Sequence, residues 1–139
     1  MVPANWSPEA RAHGIEVLLD IATALPAVRG DANRLEHVLV ILLRNGIEAI
    51  CGCGKARRRI EIDAVAHDAT VCLTVIDSGP GLSASLAERI FEPFYSTKAE
   101  GLGLGLAISS ALAQQLGGRL WAEARAGEGV FHLALPVTS

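Results

Sequence analysis

The sequence predicts an α+β fold, with helices packed on one face of a mixed or largely antiparallel sheet. Two observations predict it. Alternating apolar and polar residues over 60–66 and 71–77 read as an antiparallel hairpin, and R-L-W-A-E-A and V-F-H-L-A-L, residues 119–124 and 130–135, read as a second hairpin across A-R-A-G-E-G. Helical apolar spacing over 33–50 and 107–115 places one long helix before the first hairpin and one helix before the second. The order is strand, helix, strand pair, short helix, glycine-rich loop, helix, strand pair, with no internal repeat and no linker.

Residues 1–9 are polar, carry Pro3 and Pro8, and read as a tail or a cut end. In G-I-E-V-L-L-D-I, residues 14–21, Ile15, Val17, Leu19 and Ile21 alternate with Glu16 and Asp20, which predicts a half-buried strand. Asp31 or Asn33 can cap the long helix, and Asn33 with Glu36 fits a capping box loosely. Leu35, Leu39, Leu42, Gly46 and Ala49 trace one face of that helix; His37, Ile41, Asn45 and Glu48 trace another. C-G-C-G-K-A-R-R-R, residues 51–59, reads as a turn with a solvated basic edge. Ser83 or Ser85 caps a short helix over 83–90, and Gly117-Gly118 stops the last one.

The chain has 139 residues, half of them hydrophobic, which suits one domain with a real core. Net charge is −3, so nucleic acid is not an expected partner. No apolar run reaches the ~18 residues of a membrane span, and M-V-P-A-N-W is not a signal peptide. A soluble, cytoplasmic domain is expected, compatible with a membrane-anchored parent chain. Cys51, Cys53 and Cys72 are too few and too poorly spaced for a metal site, and read as reduced thiols.

The chemistry is concentrated in F-E-P-F-Y-S-T-K-A-E-G-L-G-L-G-L, residues 91–106. Gly101, Gly103 and Gly105 let backbone N–H groups approach a ligand, and they feed a helix N-terminus, which favours phosphate. Ser96, Thr97 and Lys98 stand just before them, whereas a Walker A lysine follows its glycines. The stretch therefore reads as a short lid over a nucleotide triphosphate. Phe91, Pro93, Phe94 and Tyr95 anchor its root to the core. Two further residues stand out. Asn45 lies in a nearly unbroken apolar run, as a core hydrogen-bonding amide or as a neutral oxygen ligand for Mg²⁺. Asp77 ends a strand at D-S-G-P-G, as a turn residue or as a carboxylate accepting from the exocyclic amino group of adenine.

R-N-G-I-E-A around Asn45, D-S-G-P-G at Asp77 and F-E-P-F-Y-S-T-K…G-L-G-L-G-L together resemble, in order and spacing, the N, G1, F and G2 boxes of sensor histidine kinases. The resemblance runs from about residue 10 to Pro136 and includes G-G-R-L-W-A-E. It implies the Bergerat fold, an α/β sandwich shared with Hsp90, MutL and type II topoisomerases, and an ATP-binding catalytic domain over residues 10–139. Carried over by position, it implies Mg²⁺ at Asn45, the adenine amino group at Asp77, and a base pocket lined by Gly79 and Gly81. It also implies phosphates near Ser96, Thr97 and Lys98 and on the backbone of Gly101, Gly103 and Gly105, with Leu102, Leu104 and Leu106 packed beneath. The short lid resembles that of the nitrogen- and oxygen-sensing branch.

Two positions depart from the family pattern. Ile41 stands where ATPase relatives carry a water-activating Glu, which implies phosphotransfer rather than efficient hydrolysis. Glu48 stands where some kinases carry a phosphate-facing Lys, which places more of the phosphate contact on Lys98. Glu48 then acts behind the metal ligand or as a base toward the acceptor imidazole. None of His13, His37, His67 and His132 sits in the family's acceptor motif, so the acceptor is expected on a separate helical dimerisation domain, with a response regulator downstream. A free-standing anti-sigma factor serine kinase of the same fold is the alternative, and a degenerate, non-enzymatic docking module is the second rival.

Overall fold

The structure, a computed structural model, describes residues 2–3, 8–21, 32–54, 58–93 and 105–137. In chain order its elements are β1 (Val2–Pro3), α1 (Pro8–Ala12), β2 (Glu16–Ile21), α2 (Ala32–Cys53), β3 (Arg59–His67), β4 (Thr70–Asp77), β5 (Gly81–Leu82), α3 (Ala84–Arg89), α4 (Gly105–Gln115), β6 (Arg119–Glu123), β7 (Arg125–Ala126) and β8 (Gly129–Pro136). The main sheet runs β1-β2-β3-β4-β8-β6, and β5 pairs with β7 in a separate ribbon. Only β2 and β3 pair in parallel in the main sheet, because α2 carries the chain back between them. The fold is the mixed-sheet α+β sandwich that the sequence predicts.

Alternation sets the register. Ile60, Ile62 and Ala64 of β3 are buried, as are Val71 and Val75 of β4 and Phe131, Leu133 and Leu135 of β8. The strand pairing places Ile62 against Val75, and Val75 against Phe131, on one continuous apolar face. A one-residue slip would turn that face to solvent, so burial fixes the pairing. The sheet's first turn is short: His67 pairs with Thr70, and Asp68 between them takes a positive φ of 55°.

Helix α2 buries Val38, Leu42, Leu43, Ile47 and Ile50 in the core, where it meets both the sheet and α4. Leu42 and Gly46 of the expected face are buried, while Leu35, Leu39 and Ala49 are only half-buried. The helix also runs further than expected. Cys51-Gly52-Cys53 form its last turn, and the break falls at Gly54, with φ of 68°. Asn33 therefore lies inside the helix, and Asp31, like Lys55 and Arg57, falls outside the described residues.

The segment expected as a tail carries secondary structure. Val2–Pro3 pairs antiparallel with β2, on the sheet edge where a proline costs no ladder bond. Pro8 opens α1, as suits a first helical position, and Ala10 is fully buried. At the other end, Gly118 N donates to Ala113 O and Gly117 N to Gln114 O, a Schellman stop for α4. No helix among the described residues is long and apolar enough to cross a membrane.

The sheet's second face is polar. Thr74 Oγ1 lies 3.1 Å from His132 Nδ1, and His132 Nε2 lies 3.0 Å from Glu123 Oε1. Trp121 stacks on His132 at 5.2 Å. Asp63, paired opposite Asp20 and Thr74, has its Oδ1 buried without a hydrogen-bond partner. Burial first, then repulsion from Asp20 and Glu61, raises the Asp63 pKa above its ordinary 3.8. A raised carboxyl pKa means the folded state holds its proton more tightly than the unfolded chain, so stability is lost as pH rises through the folded value. Asp63→Asn should therefore raise the melting temperature at pH 7, and the advantage should vanish on acidification below about 3.8, as followed by thermal circular dichroism across that range.

Candidate functional site

Strand β4 ends by delivering Asp77 to the apolar, helix-covered side of the sheet, where it is 2% exposed. A buried carboxylate costs several kcal/mol unless donors surround it. Gly79 N–H donates to Asp77 Oδ1 at 2.9 Å. The turn that aims this N–H is clamped to β3: Ser78 N donates to Arg59 O at 3.0 Å, and Arg59 N donates to Ser78 Oγ at 2.9 Å. The D-S-G stretch is thus held at both ends.

Three glycines crowd that carboxyl group. A Cβ at Gly46 of α2 would stand 3.3 Å from Asp77 Cβ. One at Gly79 would stand 2.7 Å from Asp77 Oδ1, and one at Gly129 would stand 2.8 Å from Oδ1 and 2.9 Å from Cγ. Helix, turn and neighbouring strand all approach Asp77 where side chains are missing.

Above Asp77 opens a cavity of about 590 Å³. Asn45, Glu48, Ala49 and Gly52 of α2 form one wall; at spacings of three and four they share one helical stripe. This stripe is offset from the one that buries Leu43, Ile47 and Ile50, and that offset explains a polar Asn45 within an apolar run. Pro80, Gly81 and Leu82 form a second wall, Leu86 and Ile90 a third, and Gly129 and Phe131 the floor beside Asp77. Phe91 meets Phe131 edge-on at 6.1 Å. Mostly apolar walls with Asp77, Asn45 and Glu48 converging on them suit a flat, partly apolar ligand that offers an N–H donor to Asp77.

The second wall is pinned by β5 and β7, a ribbon that the sequence did not suggest. Gly81 pairs with Ala126, and Gly127 N donates to Pro80 O at 2.9 Å. Gly81 has φ of 83°, and a Cβ there would fall on Arg125 O and stand 3.0 Å from Glu128 O. Arg125 in turn ion-pairs with Glu123 of β6. The wall is therefore tied to the edge of the main sheet.

The expected site residues are distributed as follows. Asn45, Glu48, Asp77 and Gly81 line one cavity. Gly79 sits behind Asp77, against Ala49, and supports the carboxylate rather than lining the space. Gly105 opens α4, and a Cβ there would meet Ile41 Cγ2 at 3.7 Å, so α4 begins beside α2. Leu106 is buried in the core. Ser96, Thr97, Lys98, Gly101, Leu102, Gly103 and Leu104, and with them the lid, lie outside the described residues. The sequence reading missed Gly129 and Phe131, whose proximity to Asp77 follows only from the β4–β8 register. It also missed Gly52 and Leu86, which show as cavity residues only once α2 is extended and α3 is docked. None of His13, His37, His67 and His132 lines the cavity.

Comparison with known proteins fits this geometry. Residues 30–139 match the family described as histidine kinase-, DNA gyrase B-, and HSP90-like ATPase. The C4-dicarboxylate transport sensor protein DctS of Rhodobacter capsulatus is 38% identical over 132 residues, which is 94% of this chain but 20% of DctS. The nucleotide-free catalytic domain of histidine kinase ThkA superposes with a TM-score of 0.79 at 31% identity, covering 94% of this chain and 84% of that one. ThkA is also known in complex with the response regulator protein TrrA. Full-length ShkA in complex with AMPPNP gives a TM-score of 0.79 at 30% identity, covering 96% of this chain and 28% of that one. The chain spans between 14% and 37% of the length of the curated sensor proteins it resembles.

Gly81→Ala should cost roughly 2 kcal/mol or more, because the residue must hold a left-handed φ and its methyl meets the β7 backbone. Gly52→Ala, whose methyl meets nothing within 4 Å, should be neutral or stabilising by up to ~1 kcal/mol. Urea unfolding of the two variants beside the parent chain measures both.

Proposed function

This chain belongs to the family of histidine kinase-, DNA gyrase B- and HSP90-like ATPases, and from that membership we propose that its residues 10–139 are the ATP-binding catalytic domain of a sensor histidine kinase. It transfers the γ-phosphate of ATP to a histidine on a separate helical dimerisation domain, which passes it to a response regulator, in the cytoplasm. The observation that carries this reading is Asp77, buried and braced at the bottom of a mostly apolar cavity. The AMPPNP complex of ShkA and the response-regulator complex of ThkA support the ligand and the downstream partner.

Asp77 accepts a hydrogen bond from the adenine amino group, while Ala49, Leu86, Ile90 and Phe131 enclose the ring. Gly79 supports Asp77, and Gly81 shapes the wall beside the base. Asn45 points the ligand's polar end along α2, with Glu48 one turn on in the same wall. The Asn45 amide oxygen suits Mg²⁺, which would neutralise phosphate charge there. Ser96, Thr97, Lys98 and the backbone of Gly101 to Leu106 are assigned to the phosphates from the sequence motif, with Lys98 taking the larger share of the phosphate contact. Glu48 is assigned as a base toward the acceptor imidazole. Phosphoryl transfer asks mainly for positioning and charge neutralisation, which this arrangement supplies. Ile41, packed beside the start of α4, has no group to activate water, which favours transfer to a side chain over hydrolysis. The relatives above are sensor kinases, which disfavours the free-standing serine kinase.

Asp77→Asn should abolish ATP binding and leave the fold intact. Ligand at about 100 times Kd stabilises a protein by ~2.7 kcal/mol, so thermal unfolding with Mg-ATP should rise for the natural chain and stay flat for the variant. A variant that still gains stability from ATP would remove Asp77 from base recognition.

A further inference from the structure

The carboxylate of Asp77 lies where a side chain on the neighbouring strand would normally stand. The register of β4 and β8 sets Asp77 directly opposite Gly129 on the core-facing side. Opposed residues in an antiparallel pair keep their Cβ atoms about 4.5–5.5 Å apart, and two side chains ordinarily stand side by side. Here a Cβ at Gly129 would stand 2.9 Å from Asp77 Cγ and 2.8 Å from Oδ1, and closer still to Oδ2. The carboxyl group therefore leans across β8. On the opposite side α2 presses in, since a Cβ at Gly46 would stand 3.3 Å from Asp77 Cβ and 3.2 Å from Ile60 Cδ1. The Gly79 N–H holds Oδ1 from below. A methyl group on residue 129 leaves the carboxylate one way out, towards the cavity and away from that N–H.

We propose that Gly129 is a positioning residue that sets base selectivity: its missing side chain is the space in which Asp77's carboxylate is held to face a 6-aminopurine rather than a 6-oxopurine. The proposal rests on the reading of Asp77 as the base acceptor. A hydrogen bond keeps its strength only within about 2.7–3.2 Å, so a displaced carboxylate loses most of its preference for an amino group over a carbonyl. The expected loss in ATP affinity for Gly129→Ala is about ten- to hundredfold, the range of a charged hydrogen bond. Inosine triphosphate, which presents an oxygen at that ring position, should lose far less.

Two measurements test this. Titration with ATP and with inosine triphosphate should give a ratio of affinities that is high for the natural chain and collapses towards one in Gly129→Ala. A ratio preserved in Gly129→Ala, whatever the absolute affinities, overturns the proposal. If the natural chain shows no preference, or if Asp77→Asn leaves the ratio unchanged, the base-acceptor reading fails first and the proposal falls with it. The second measurement needs no nucleotide. Gly129→Ala should lower the melting temperature by several degrees when residue 77 is Asp and by much less in an Asp77→Ala background, where the carboxylate is gone. Equal losses in both backgrounds would mean that residue 129 acts through the strand alone, and would overturn the proposal even if the single variant binds nothing.

Discussion

The structure depends on one unusual placement, a carboxylate held almost fully out of solvent at the end of a central strand. A charge there is tolerable only if a donor is fixed beside it, and only if the surrounding backbone comes close enough to fix it. Both conditions are met by main chain. Gly79 supplies the N–H, and the hydrogen bonds between Ser78 and Arg59 hold Gly79 in place. Gly46 lets α2 descend onto the strand, and Gly129 lets the carboxylate lean over β8. Helix height, turn geometry and sheet register therefore converge on the same few atoms. A ligand-binding constellation built this way is rigid before the ligand arrives, which suits electrostatic recognition of a single N–H donor.

The helix above this carboxylate does two jobs with two stripes. Leu43, Ile47 and Ile50 belong to the hydrophobic core and hold the fold together. Asn45, Glu48, Ala49 and Gly52 face the cavity. Since 3.6 residues make a turn, positions 43, 47 and 50 point to a different side of α2 from positions 45, 48, 49 and 52. A single helix can therefore place a polar amide in an apolar run without burying it in the core. The remaining wall, Pro80 to Leu82, packs on the core through Leu82. It is also held by its ribbon partner β7, by the Gly127–Pro80 hydrogen bond, and through Arg125 by Glu123.

Much of this was legible in the sequence. The first hairpin and the long helix follow from periodicity, because each element buries one face and the spacing of that face is its signature. Asn45 and Asp77 were visible as misfits, a polar amide in an apolar run and a carboxylate followed by glycines. What escaped depended on tertiary position. Val2–Pro3 is too short to carry a period and is a strand only because β2 offers an edge. Cys51 to Cys53 stay helical despite Gly52 because the helix is already long and packed, and a glycine near its end costs only ~1 kcal/mol. Gly129 looked like a turn glycine in A-R-A-G-E-G. Its closeness to Asp77 is a property of strand register, which no local pattern states.

The two faces of the sheet also differ in what they can transmit. The face under α2 is apolar and closely packed around the cavity. The opposite face carries the row from Thr74 through His132 to Glu123, and Glu123 is shared with Arg125 on the ribbon that pins the cavity wall. The hydrogen bond from His132, ahead of the charge of Arg125, holds the Glu123 carboxyl below its ordinary range. Lowered this way, Glu123 contributes stability that is present above the ordinary carboxylate range and is lost as pH falls through its folded value. Its ion pair with Arg125 is half exposed and individually weak. Pro80 is exposed and Gly81 and Leu82 are half-buried, whereas Asp77 is almost fully buried, so the wall at Pro80 to Leu82 should open before the Asp77 floor does. That order fits a cavity whose floor is rigid and whose wall is adjustable.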